Sequence, residues 1–121
     1  MKKLKILIAE DDEASVEFLE WVVNKFSRGI LNTATGVETI EACRNNPDID
    51  LVMMDIRMPD LNGYEATHQI RMFNKDVIII AQTAYAMAGD RERALNAGCN
   101  DYISKPIDQD KLLVLINKYF K

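Results

Sequence analysis

The chain carries little of the material from which sulfur or imidazole sites are built. Two cysteines, Cys43 and Cys99, and one histidine, His68, are all it has in 121 residues. The cysteines stand far apart in no metal or redox spacing, which argues against a disulfide framework and a thiolate site; each reads as a small buried or half-buried thiol. His68 has no neighbour to orient it as a base and reads as a solvated helix residue. Basic charge is short as well. The net charge is −4 and the pI about 5.0, whereas a nucleic-acid surface needs clustered Lys and Arg. Long apolar runs are missing: Leu4 to Ala9 is broken by Lys5 and closed by Glu10-Asp11-Asp12. That stretch is too short and too acidic for export or membrane insertion, so the chain is expected in the cytoplasm. Repeats, linkers and low-complexity segments are absent. So is a Gly- or Ser/Thr-rich loop after the first apolar run, which a flavin- or nucleotide-binding module would need. Glu10-Asp11-Asp12-Glu13 stands there instead and repels phosphate.

With 48% hydrophobic and 28% charged residues, the composition is that of one ordinary globular domain spanning 1–121. Five short apolar runs alternate with five amphipathic stretches. Lys5 to Ala9 lacks period-2 alternation, as a strand buried on both faces should. A helix follows from about Glu13 to Phe26, with Val16, Leu19, Val23 and Phe26 on one stripe and Phe18 and Val22 widening it. Gly29 to Ala34 is a weaker strand, and Thr35-Gly36-Val37-Glu38 has the form of a capping box opening a helix through about Arg44. Ile49 to Met54 is a third strand ending at Asp55, with a loop through Gly63 and a helix from Tyr64 to Phe73. Val77 to Ala81 is the plainest strand. A helix poor in large apolar residues runs from about Met87 to Asn96 and stops at Gly98, a natural left-handed cap. Asp101 to Ser104 is a short strand, and Asp108 caps a last helix with Leu112, Leu115, Ile116 and Tyr119 inward. Alternation with short connections implies an α/β fold with a parallel sheet covered on both faces.

The polar residues are placed tellingly. Glu10 and Asp11 follow the first run, Asp55 the third, Thr83 the fourth and Lys105 the fifth. In a parallel sheet those ends share one edge, where ligand sites of open α/β sheets form. Singly, each has a plain reading as a helix-start acid, a turn residue, a β-former or a loop lysine. Together they are a site. Carboxylates that close repel one another unless a cation is present; oxygen ligands beside a phosphate suit Mg²⁺. Lys105 and Thr83 supply a charge and a hydroxyl for a phosphoryl group held at Asp55.

Four segments carry a resemblance. They are Ile6-Leu7-Ile8-Ala9-Glu10-Asp11-Asp12, Leu51 through Gly63, Ile80-Ala81-Gln82-Thr83-Ala84-Tyr85 and Ala97 through Pro106. In this order and spacing the chain resembles, over essentially its whole length, the receiver domains of bacterial two-component response regulators. The resemblance implies a doubly wound, flavodoxin-like sheet in the order 2-1-3-4-5 with five helices. It implies that Asp55 accepts a phosphoryl group from a histidine kinase or a histidine phosphotransfer domain, and that Asp11, Asp55 and the main-chain carbonyl of Arg57 hold Mg²⁺ directly, with Glu10 acting through water. Lys105 would bind the phosphoryl group and the Lys105-Pro106 peptide would be cis. Thr83 and Tyr102 would act as the switch, altering the face of the fourth helix, fifth strand and fifth helix.

The stretch Ala81 through Arg91 is most similar to receiver modules of hybrid histidine kinases. Lys111 and Leu115 stand where winged-helix regulators that dimerise through this face place an acid and a base, so a monomer is expected. Arg57 and Tyr85 flank the path of the hydrolytic water, and their bulk implies slow self-dephosphorylation. The rival enzyme is a Mg²⁺-dependent phosphohydrolase with an aspartyl nucleophile. It needs a second Asp two residues on, where this chain has Arg57.

Overall fold

The computed structural model describes residues 3–84 and 89–120. Tyr85 and the expected helix start at Met87 lie outside the described residues. Five strands, β1 (Leu4–Ala9), β2 (Ser27–Thr33), β3 (Leu51–Asp55), β4 (Ile78–Thr83) and β5 (Asp101–Ser104), form one sheet in the order β2-β1-β3-β4-β5. All four pairings are parallel. Five α-helices alternate with them: α1 (Glu13–Val23), α2 (Gly36–Asn45), α3 (Gly63–Arg71), α4 (Asp90–Ala97) and α5 (Gln109–Tyr119). This is the doubly wound architecture expected from the alternation and the resemblance.

The two faces of the sheet bury separate cores, because side chains alternate along every strand. Ile6, Ile8, Leu51, Met53, Ile80 and Ile103 meet α1 and α5 through Leu19, Val23, Leu112 and Ile116. Leu7, Ala9, Val52, Met54, Ile79 and Ala81 meet the opposite layer through Ile40, Ala66, Ile70 and Ala94. The central strands β1 and β3 are buried almost throughout, while the edge strand β2 is only half-buried.

Local chemistry fixes the helix starts. Asp12, Thr35, Asn62 and Asp108 each accept a backbone N–H of the helix they precede. In the predicted capping box Thr35 accepts from Glu38 N–H at 3.1 Å, but the Glu38 carboxylate reaches one residue further back, to Ala34 N–H at 2.9 Å. Gly98 ends α4 at φ 113°, where a Cβ would meet Arg71 Cγ at 2.7 Å.

The differences from the sequence reading are local. The α1 helix stops at Val23, and Asn24–Phe26 form a 3₁₀ turn that feeds β2 two residues early. Phe18 is 37% exposed, so it borders the apolar stripe instead of widening it. Leu115 and Tyr119 are half-buried beside the buried Leu112 and Ile116. Gly89, at φ 91°, precedes an α4 that opens at Asp90. His68 is exposed, and both cysteines are free and buried, with burial pushing the Cys43 thiol up to about 11. Among the described residues no helix is long and apolar enough to cross a membrane.

Candidate functional site

Strand register brings the charged residues together. Ala9 pairs with Met54, so Glu10 stands level with Asp55. Asp55 pairs with Gln82, and Thr83 with Ser104, which sets Lys105 one step beyond the fourth strand's end. The Lys105 N–H donates to the Thr83 carbonyl at 2.7 Å, fixing the backbone from which the lysine side chain turns back over the sheet. The Lys105-Pro106 peptide bond is cis.

The Lys105 ammonium lies 2.8 Å from Glu10 Oε1 and 3.4 Å from Asp55 Oδ1. One carboxylate oxygen from each of Glu10, Asp11 and Asp55 falls within 4.8 Å of the others. Neighbouring oxygens around an octahedral Mg²⁺ stand about 2.9 Å apart at its usual bond length, so the trio is gathered on the scale of such a site and would close in around the ion. Glu10 and Asp55 are buried and Asp11 is exposed, leaving one side of the cluster open to solvent.

Burial, followed by hydrogen bonding to Glu10 and the charge of Glu10, pushes the Asp55 carboxyl up to about 6. Lys105 and the Arg57 N–H, which donates to Asp55 Oδ1 at 3.2 Å, pull against that rise. For Lys105, burial disfavours the charge, but bonding to Glu10 and the charges of Asp55 and Glu10 outweigh it and its pKa is raised. The Lys105 ammonium is thus the counter-charge placed among three acidic side chains.

The loop after Asp55 is held by two residues that the sequence reading passed over. Gly63 N–H donates to the Ile56 carbonyl at 2.9 Å, and a Cβ on Gly63 would stand 2.5 Å from the Asp55 carbonyl oxygen. Only glycine lets α3 start this close to the acceptor strand. Asp60 adopts φ 66°, and its carboxylate accepts from Gly36 N–H at 2.9 Å and Val37 N–H at 3.4 Å. The loop is thus clamped to the start of α2. The Pro59-Asp60 turn pair was the available signal, since Asp is among the few residues that tolerate a left-handed backbone.

Thr83 is 8% exposed at the end of β4. Tyr102 is half-buried on β5 against the core beneath α2, α3 and α4. Arg57 is exposed. The structure brings Glu10, Asp11, Asp55 and Lys105 into one cluster, ends β4 at Thr83, one residue past the strand partner of Asp55, and leaves Tyr102 three residues before Lys105 along β5.

Comparison with known proteins agrees with this geometry. Residues 6–117 match the response regulator receiver domain family. The polar-differentiation response regulator DivK of Brucella ovis is 32% identical over 116 residues, 94% of each chain. A receiver domain of a sensor histidine kinase from Pseudomonas aeruginosa, solved with magnesium in its active-site cleft, is 33% identical with a TM-score of 0.85, covering 97% of both chains. A complex from Saccharomyces cerevisiae joins a histidine phosphotransfer protein to the receiver domain of its downstream response regulator. The matching chain is 31% identical with a TM-score of 0.89, over 98% of this chain and 89% of that one. A match running from the first strand into the last helix, with relatives of nearly the same length, means that this chain belongs to the response regulator receiver domains of two-component systems.

Proposed function

We propose that the chain accepts a phosphoryl group on Asp55 from a phosphohistidine, carried by a histidine kinase or a histidine phosphotransfer domain. The observation that supports this reading most is the Lys105 ammonium, 3.4 Å from Asp55 Oδ1 inside a carboxylate trio. An Asp55 carboxylate oxygen attacks phosphorus. The phosphorus–nitrogen bond breaks as the phosphorus–oxygen bond forms, and the histidine ring leaves with the electron pair and takes a proton. Even raised to about 6, the Asp55 carboxyl stays mostly ionised, and so nucleophilic, at neutral pH.

Glu10, Asp11 and Asp55, with the Arg57 main-chain carbonyl, would hold Mg²⁺, which supplies charge neutralisation for the transferring group. Lys105 neutralises a second phosphoryl oxygen and Thr83 donates to a third. The redistribution of charge at Lys105 and Thr83 then biases Tyr102 and the face of α4, β5 and α5 between two packings. On this reading the chain is a signalling domain acting on its own aspartate in the cytoplasm, as a monomer. Its likeness to hybrid-kinase receivers favours a place within such a relay. Arg57, exposed beside the acceptor, would slow hydrolysis of the acyl phosphate; a half-life of seconds in the isolated chain would speak against that part.

The deciding experiment is beryllofluoride binding with Mg²⁺, in the wild type and in Asp55→Asn. Tight binding only by the wild type is expected; equal binding by both overturns the assignment. Steady phosphate release from p-nitrophenyl phosphate would instead favour the phosphohydrolase.

A further inference from the structure

Glu10, Asp55 and Gln82 form a row across the sheet. Asp55 pairs directly with Gln82 in β4, and Glu10 stands level with Asp55 beyond the end of β1. Paired residues of neighbouring strands turn their side chains to one face. Here it is the face of α1 and α5, where Met53, two residues before Asp55, and Ile80, two before Gln82, are packed. Two members of the row are acids of the site. The third is an amide that phosphoryl transfer, as derived above, leaves unused.

Gln82 is completely buried (0% exposed), and neither its side-chain nitrogen nor its side-chain oxygen has a hydrogen-bond partner. Among the described residues no other buried side chain is left in this state. A buried amide without a partner forfeits its bonds to water and regains nothing; an apolar side chain would fill the position without that cost. Such groups are rare in folded proteins. Solvent does not supply the partner, since both atoms are closed to it. One strand spacing away, about 4.8 Å, stands Asp55. Its Oδ1 accepts Arg57 N–H at 3.2 Å and faces the Lys105 ammonium at 3.4 Å.

We propose that Gln82 is a positioning residue for the phosphorylated state, its amide held without a partner at rest and given one when Asp55 carries a phosphoryl group. The inference rests on Asp55 being the phosphoacceptor. The phosphoryl group draws the Lys105 ammonium away from Asp55, and Oδ1 loses a donor. Gln82 N–H takes that place from the neighbouring strand. The bond forms only in the phosphorylated chain, so it favours that state over the resting one. There is room for the change of rotamer, because Gln82 borders a cleft of about 550 Å³ between α1 and the loop that follows β5, lined also by Phe18 and Ile107.

The test compares the full wild-type chain with Gln82→Met, which keeps the length of the side chain, and with Gln82→Leu. Beryllofluoride affinity in the presence of Mg²⁺ is expected to fall about tenfold in both. The urea midpoint in EDTA should hold or rise, because the resting chain loses only an unpartnered amide. A residue that merely supports the fold would move the two measurements the same way. In the wild type, one Gln82 side-chain amide proton should shift downfield in ¹H–¹⁵N spectra when beryllofluoride binds. Undiminished beryllofluoride affinity in the variants, a lowered urea midpoint, failure of both variants to fold, or an unmoved amide proton would each overturn the proposal. A wild type that binds beryllofluoride no better than Asp55→Asn would instead remove the phosphoacceptor reading, and this proposal with it.

Discussion

Gly63 packs against Asp55 so closely that a Cβ on the glycine would approach the aspartate carbonyl oxygen to 2.5 Å. The clash is with backbone, which cannot swing aside like a side chain. Gly63→Ala is therefore expected to destabilise the chain by about 1–3 kcal/mol and to weaken beryllofluoride binding, because relief of the clash moves the acceptor strand. Urea denaturation beside the binding assay checks both; unchanged values in both would refute the argument.

Without metal, Asp55 makes the protein's stability depend on pH. Its pKa rises from an ordinary 3.8 to about 6 on folding, so between those values the folded state binds more protons than the unfolded state. Stability from this group is then greatest below pH 4, falls as pH rises through 6, and levels off above. Asp55→Asn should remove the dependence and gain about 2 kcal/mol at pH 7.5 in EDTA. Denaturation curves at pH 4.5, 6 and 7.5 measure it. A wild type that gains stability across this range, relative to the variant, would contradict the sign.

Lys105→Met should separate two roles of the ammonium. Removing a positive charge 2.8 Å from Glu10 and 3.4 Å from Asp55 favours a divalent cation, so Mg²⁺ affinity by calorimetry should rise about fivefold. Phosphorylation from a small phosphodonor should fall, because the phosphoryl oxygens lose their counter-charge. Weaker Mg²⁺ binding in the variant would show that the lysine does not compete with the ion.

Arg71 ties three segments together away from the site. Its guanidinium donates to the Gly98 carbonyl at 2.8 Å, the Asn74 carbonyl at 3.2 Å and Asn100 Oδ1 at 2.8 Å. Asn100 Oδ1 also accepts Ile79 N–H at 2.8 Å. Arg71→Met should cost about 2 kcal/mol by stranding these acceptors. It should also speed hydrogen exchange at the Ile79 and Asn100 amides beyond the global effect; uniform acceleration would mean the network is not local.

The strands were legible because a doubly covered parallel sheet demands unbroken apolar runs, and Ile78-Ile79-Ile80 or Leu51-Val52-Met53-Met54 serve nothing else. The caps at Thr35 and Asp108 were legible because a side-chain oxygen must meet free helix N–H groups. Glu10, Asp11, Asp55 and Lys105 could be grouped before any coordinates, since each ends a strand and parallel ends share an edge. Contacts across layers were hidden. Nothing in the spacing of Asp60 says that its carboxylate reaches Gly36, and nothing near Phe18 says that a cleft opens beside it.

The lysine within the acid cluster also sets an account of charge. Counted formally, three acidic side chains and one lysine give the cluster a charge of −2, which a single divalent cation would cancel. On the proposed reading, a phosphoryl group on Asp55 would restore a negative field around that cation and tighten its hold. Thermodynamic reciprocity would then require the cation to favour the phosphorylated state by the same factor. Magnesium concentration and phosphorylation level would thus become two handles on one equilibrium.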